Sequence, residues 1–123
     1  MSFRGMLRPG QGFRRFTVLR RTGGVTETGR PRTAKLEPVG DFFAIISQAT
    51  PREKEQWKQD GHPITHTVLQ RGTKDRARST DVLELPVPGT EEVRRFLIQG
   101  EPQDPGELGH FLVYHVEERK DLQ

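Results

Sequence analysis

The chain contains no cysteine. Disulfides and thiolate metal ligands are therefore excluded, and with them the small secreted scaffolds and zinc modules that depend on them. Aromatic side chains are few: one Trp, one Tyr and seven Phe in 123 residues. Long apolar runs are missing as well. The longest, Phe42-Phe43-Ala44-Ile45-Ile46, has five residues, against the ~20 that a membrane-spanning helix needs. No segment reads as a signal peptide, and no membrane partner is expected.

What is present is enough for one small domain. Leu, Ile, Val and Phe supply 30 of the 123 residues, above the ~20% below which a chain stays disordered. The net charge of +3 hides an asymmetry. Residues 1–35 carry nine Lys or Arg against one acid, Glu27, while residues 36–123 carry eleven bases against sixteen acids. A basic N-terminal quarter on an acidic body suits a phosphate-bearing or acidic partner, or a solvated arm.

Period and punctuation predict a mainly β fold. Residues 1–13 hold three Gly and Pro9 with no sustained period, and read as an extended basic arm. Arg14–Arg21 alternates, with Phe16 and Val18 on one face and Thr17 and Leu19 on the other. Pro38 and Gly40 are expected to interrupt the next apolar stretch, leaving Phe42–Ile46 as a buried strand. Further short strands are predicted at Ile64–Gln70, Asp81–Leu85, Arg94–Gln99 and His110–Glu118. Gly100–Gly109 reads as a long hairpin connection, Arg71–Thr80 as a loop or mobile finger, and residues 120–123 as a C-terminal tail.

A single helical signature stands among these strands. Thr50 is a candidate N-cap, Pro51 occupies the first helical position, and Glu53 completes a capping box. The run to Gln59 has no apolar stripe, which predicts a short exposed helix ended by Gly61. Five or six strands with one small helix point to an antiparallel barrel or sandwich spanning residues 14–119.

Catalytic patterns do not emerge. His62 and His66 are separated by Pro63, and His110 and His115 fall on opposite faces of a strand. Ser2, Ser47 and Ser79 sit in no Gly-x-Ser-x-Gly elbow, and Gly10-Gln11-Gly12 precedes no helix. The expectation is a non-enzymatic protein without cofactor or metal.

The order of elements resembles a known family, the head-closure (stopper, or head–tail joining) proteins of long-tailed bacteriophages. The similarity runs through the strand Phe16–Arg21, the Gly23-Gly24 excursion, the strand Phe43–Ser47, the polar helix Pro51–Trp57 and the strand opening at Thr65-His66. It continues through Arg95–Ile98, the Asp104–Gly109 turn and a last strand ending at Glu117-Glu118. The resemblance implies a small β-barrel assembling, usually twelve at a time, into a homo-oligomeric ring under the portal complex. Such a ring sits at the head–tail interface of the virion after assembly in the host cytoplasm. It retains packaged double-stranded DNA and offers the tail a docking surface.

It also implies that the segment between the second and third strands, here Ser47–Pro63, closes the central channel. Thr50 and Glu53 would cap its helix, Lys54 and Lys58 would share a face toward phosphate, and Gly61 would bracket a hinge with Pro63. Trp57 would pack on a neighbour or fold back on its own barrel. Arg4, Arg8, Arg14 and Arg15 are candidate contacts to the portal side or an adjacent subunit. Arg71, Lys74, Arg76 and Arg78 form an alternative channel loop. Two other readings remain open: an oligonucleotide-type nucleic-acid-binding barrel, and another neck or tail-end ring protein of a phage.

Overall fold

The structure is a computed structural model that describes residues 12–22 and 35–122. Six strands form one antiparallel sheet: β1 (Arg14–Thr22), β2 (Lys35–Gln48), β3 (His66–Arg71), β4 (Val82–Pro86), β5 (Val93–Gln103) and β6 (Phe111–Glu118). One helix, α1 (Pro51–Gln59), lies between β2 and β3, and a 3-10 turn at Pro105–Glu107 precedes β6. In space the order is β1-β2-β3-β6-β5-β4, and β4 pairs back to β1, so the hydrogen bonds run round a closed barrel. Closure removes the free sheet edges that would otherwise invite strand addition. The arm expected over residues 1–13 falls outside the described residues, apart from Gly12 and Phe13.

Alternation fills the barrel. Phe16 and Val18 from β1, Phe42 and Ala44 from β2, Val68 from β3, Leu83 and Leu85 from β4, Phe96 and Ile98 from β5, and Leu112, Tyr114 and Val116 from β6 make the core. Phe42 stacks on Tyr114 at 5.5 Å between ring centroids and lies 6.0 Å from Phe16. These offset aromatic contacts add to the burial of apolar surface that holds the strands together.

Two sequence expectations about strand length need correction. Pro38 and Gly40 do not interrupt β2. Val18 pairs with Gly40 and Leu19 with Pro38, so Val39 is an extra residue in a bulge that carries the strand past both breakers. Gly40 also leaves room for Asp75, since a Cβ there would come within 3.0 Å of the Asp75 side chain. Phe42–Ile46 is accordingly not buried on both faces; Phe43 points outward and is 60% exposed. Likewise β5 continues to Gln103, with a register shift between Gln99 and Gln103, so the connection to β6 shortens to 104–110.

The C-terminal residues are more than a tail. Leu122 is buried with Leu19 and Val82 in a second apolar cluster. Its carbonyl accepts a hydrogen bond from Arg95 Nη1 at 2.6 Å. Because Arg95 also binds Glu84 (Nη2 to Oε2, 3.0 Å), the chain end is tied to β4 through one guanidinium.

Candidate functional site

Helix α1 is shaped by its ends. Thr50 Oγ1 accepts from the Glu53 amide at 3.2 Å, and the Thr50 amide donates to Glu53 Oε1 at 3.0 Å, completing the box that the sequence predicts. That pairing holds the Glu53 carboxyl below its ordinary range. At the other end the Gly61 amide reaches the Lys58 carbonyl at 3.0 Å and the His62 amide the Trp57 carbonyl at 2.9 Å. Gly61 adopts φ +81°, a left-handed conformation that ends helices and suits glycine. No residue of the helix is buried, and Lys54 and Lys58 are exposed.

Trp57 fastens the helix to its own barrel. Its ring stacks on His115 of β6, centroids 4.4 Å apart and planes at 25°, and meets His62 edge-on at 6.2 Å. In the isolated chain the indole thus lies on the chain's own wall. The seat is cut by Gly100 in the β5 irregularity, where an added Cβ would stand 3.0 Å from Trp57 Cζ3. Gly100 also has φ +70°, so both space and backbone exclude a larger residue.

Beneath the indole the wall is polar. His115 is only 8% exposed and pairs in register with Thr67 of β3. Neither His115 Nδ1 nor Thr67 Oγ1 has a hydrogen-bond partner among the described residues. Leaving a buried polar group unpaired costs about 1–3 kcal/mol. Burial also pushes the His115 imidazole below its ordinary pKa, partly opposed by the charge of Glu53. Stacking therefore holds α1 down against the hydration its seat gives up.

The β3–β4 connection, expected to be a loop or a mobile finger, is a loop pinned from within. Ala77 is 0% exposed and belongs to the main core. Its amide donates to the Tyr114 hydroxyl at 3.2 Å, which in turn donates to Gln70 Oε1 at 2.6 Å. Gln70 Nε2 donates to the Lys74 carbonyl at 2.6 Å. Burial raises the Tyr114 hydroxyl to about 12, so it remains a donor throughout the physiological range. At the far end Asp81 accepts from the Arg78 amide at 2.8 Å and from Arg20 Nη2 at 2.9 Å. Sequence reasoning missed this network because Ala77 is an isolated apolar residue in a basic stretch. The side chains of Arg71, Lys74, Arg76 and Arg78 stay on the exposed side.

The candidate contact arginines divide. Arg14 donates Nη2 to the Pro86 carbonyl at 2.8 Å, and Arg15 pairs with Asp41 (Nε to Oδ2, 3.0 Å), so both already brace the barrel. Arg4 and Arg8 lie outside the described residues. Elsewhere Arg94 grips Glu118 with two bonds of 2.8 and 2.9 Å, which lowers the Glu118 pKa. Among the described residues, no group of three or more His, Asp or Glu side chains gathers in a way that could hold a metal ion.

No protein-family model and no curated protein matches the chain. Among solved structures, the fold is similar to the solution structure of protein SF1141 from Shigella flexneri 2a. The TM-score is 0.67 at 20% sequence identity, with 98% of this chain and 99% of that one covered. The likeness thus spans both chains almost end to end, and at that identity it shows a shared fold.

Proposed function

We propose that this chain is a structural part of a long-tailed bacteriophage neck. In this reading copies form a ring under the portal complex, close the DNA channel of the filled head and receive the tail. The observation that carries it is the contrast between a closed barrel and the helix hung outside it. α1 has no buried residue, and its indole lies on a wall with two polar atoms that lack a partner among the described residues. A segment that must block a duplex and then swing away belongs at the low-stability end of a structure.

The chemistry of the segment suits the same task. Lys54 and Lys58 offer two exposed cations to phosphate, while Glu53 and Glu55 beside them limit the attraction. Docked on its barrel, α1 is stored; lifted by rotation about 48–50 and 60–63, it is free to project. The partners in this reading are the portal or adaptor complex above, tail proteins below and the packaged DNA between. Electron cryomicroscopy of DNA-filled particles lacking tails is the test. Density for the barrel is expected beneath the portal, and a filled head with no such density rejects the proposal.

A further inference from the structure

The two sides of the barrel carry different surfaces. In the ring order β2 and β3 stand opposite β5 and β4. On the β2–β3 side is an open concavity of about 500 Å³ whose lining includes Phe13, Phe43, Arg71 and Lys74. Arg71 lies over the Phe13 ring, 6.0 Å from its centroid. Asp41, the acid at this site, is committed to Arg15. Arg71 and Lys74 have no carboxylate partner among the described residues. The site is therefore apolar at its base and positive at its rim.

The β4–β5 end of the barrel shows the complement. The β4–β5 turn is closed by the Pro86–Val93 pair and is exposed throughout 88–93. Val93 is 43% exposed. Glu91 and Glu92 have no ion-pair partner among the described residues, whereas Glu84 and Glu118 close by are held by Arg95 and Arg94. The turn thus carries an exposed Val93 and two carboxylates outside any ion pair among the described residues, at the edge of a concavity it lines with Arg119 and Lys120. β1 separates it from the basic, apolar hollow, with Arg14 bonded to the Pro86 carbonyl at the turn's base.

We infer that the two surfaces are halves of one contact between copies of this chain. The β4–β5 turn of one copy enters the hollow of the next, with Val93 against Phe43 and Glu91 and Glu92 against Arg71 and Lys74. Because the two halves are different patches, the contact is head-to-tail, and repetition generates a ring when the rotation closes. A symmetric pairing of hollow with hollow would set Arg71 and Lys74 against like charges, which disfavours it. The inference deepens the proposed ring and rests on it for biological context, but the contact stands or falls by a separate measurement.

The absence of native cysteine makes that measurement clean. The variant carrying both Phe43→Cys and Val93→Cys, two exposed positions, should give a ladder of disulfide-linked oligomers when oxidised at high concentration. An equimolar mixture of the two single variants should stop at the dimer, and each single variant should remain monomeric. Adding Glu91→Lys and Glu92→Lys should lower the ladder yield by about tenfold or more. Adding Arg71→Glu and Lys74→Glu to that chain should restore it. Dimers from Phe43→Cys alone, no ladder from the double variant, or a ladder indifferent to charge reversal would each overturn the inference. So would salt-sensitive binding of a dT oligonucleotide that Phe43→Ala abolishes, found without any ladder. A ladder from the purified chain together with empty density beneath the portal would reject the neck assignment and leave the contact standing.

Discussion

The barrel interior and the helix outside it are held by different kinds of contact. Inside, side chains from all six strands meet around the Phe16–Phe42–Tyr114 aromatic cluster, and each strand is hydrogen-bonded on both sides. Outside, α1 is closed upon itself by its capping box and touches the wall through Trp57. The first arrangement is cooperative, because no strand can leave without opening the ring. The second can let go alone. The lesson is that local helix stability and attachment to the fold are separate quantities, set here by different residues.

The strongest test of that contrast is a core truncation. Phe16→Ala should cost about 3–5 kcal/mol by removing a fully buried ring, read as a lower urea midpoint of a single cooperative transition. A loss below about 1 kcal/mol would mean that the interior is far more compliant than its packing indicates. Next in size is Tyr114→Phe. It strips the Gln70 carbonyl and the Ala77 amide of their shared hydroxyl and should cost about 1–3 kcal/mol. Hydrogen exchange should then show the β3–β4 loop loosening before the rest.

Replacing residues 52–60 by a Gly-Ser linker should change barrel stability by no more than about 1 kcal/mol, within the range of surface changes. In the proposed neck setting, the same replacement should give heads that assemble but lose DNA before tails attach. Neutralising Arg76 and Arg78, the two exposed loop bases outside the inferred contact between copies, should leave heads full. The opposite outcome would transfer the gating role from α1 to the pinned loop.

The smallest effect is a pH dependence of α1 docking. The groups facing His115 are Glu53 and Trp57 from α1, with Thr67 its cross-strand neighbour on β3 and Gln99 its partner on β5. His62 meets the other side of the contact through Trp57 and lies 3.4 Å from Gln99 Oε1. In the docked state burial lowers the His115 pKa from 6.5, with Glu53 opposing. An undocked state in which the imidazole is hydrated therefore binds more protons in the window just below that value. Docking is thus at full strength above pH 6.5 and weakens as pH falls toward the depressed value. Amide protection over Arg52–Gln59, corrected for intrinsic rates, should drop in that window and should not drop in His115→Gln. His66 is also lowered, by burial, by Arg94 and by Lys54 of α1, with Glu118 opposing. The part due to His115 is therefore the difference between the native chain and His115→Gln.

How far these two regions were legible in the sequence follows from the range of the forces involved. Thr50, Pro51 and Glu53 act within one turn, so the helix could be read with its start and its exposed character. Phe16 with Val18, and Leu112 with Tyr114 and Val116, share a face by period two, and burial in the barrel shows that face to be the inward one. Ala77 and Leu122 were not legible. Each is an isolated apolar residue among charges, and burial depends on strands far away in the chain. Trp57 could be singled out as a large side chain in a polar segment, but not the imidazole that receives it, 58 positions later. Phe43 sits in the most apolar run of the chain and yet faces out, because strand alternation places Phe42 and Ala44 inward.

The sequence by itself therefore determined the mainly β class, the capped helix and most of the residues that share a strand face, since these depend on neighbours within a few positions. Only the tertiary structure decided that the sheet closes through β1 and β4, that a bulge at Val39 carries β2 past Pro38, and that Gly100 makes the seat for Trp57. Those outcomes are set by the register between strands distant in sequence. Register is fixed by the joint packing of the whole barrel, which no single segment encodes.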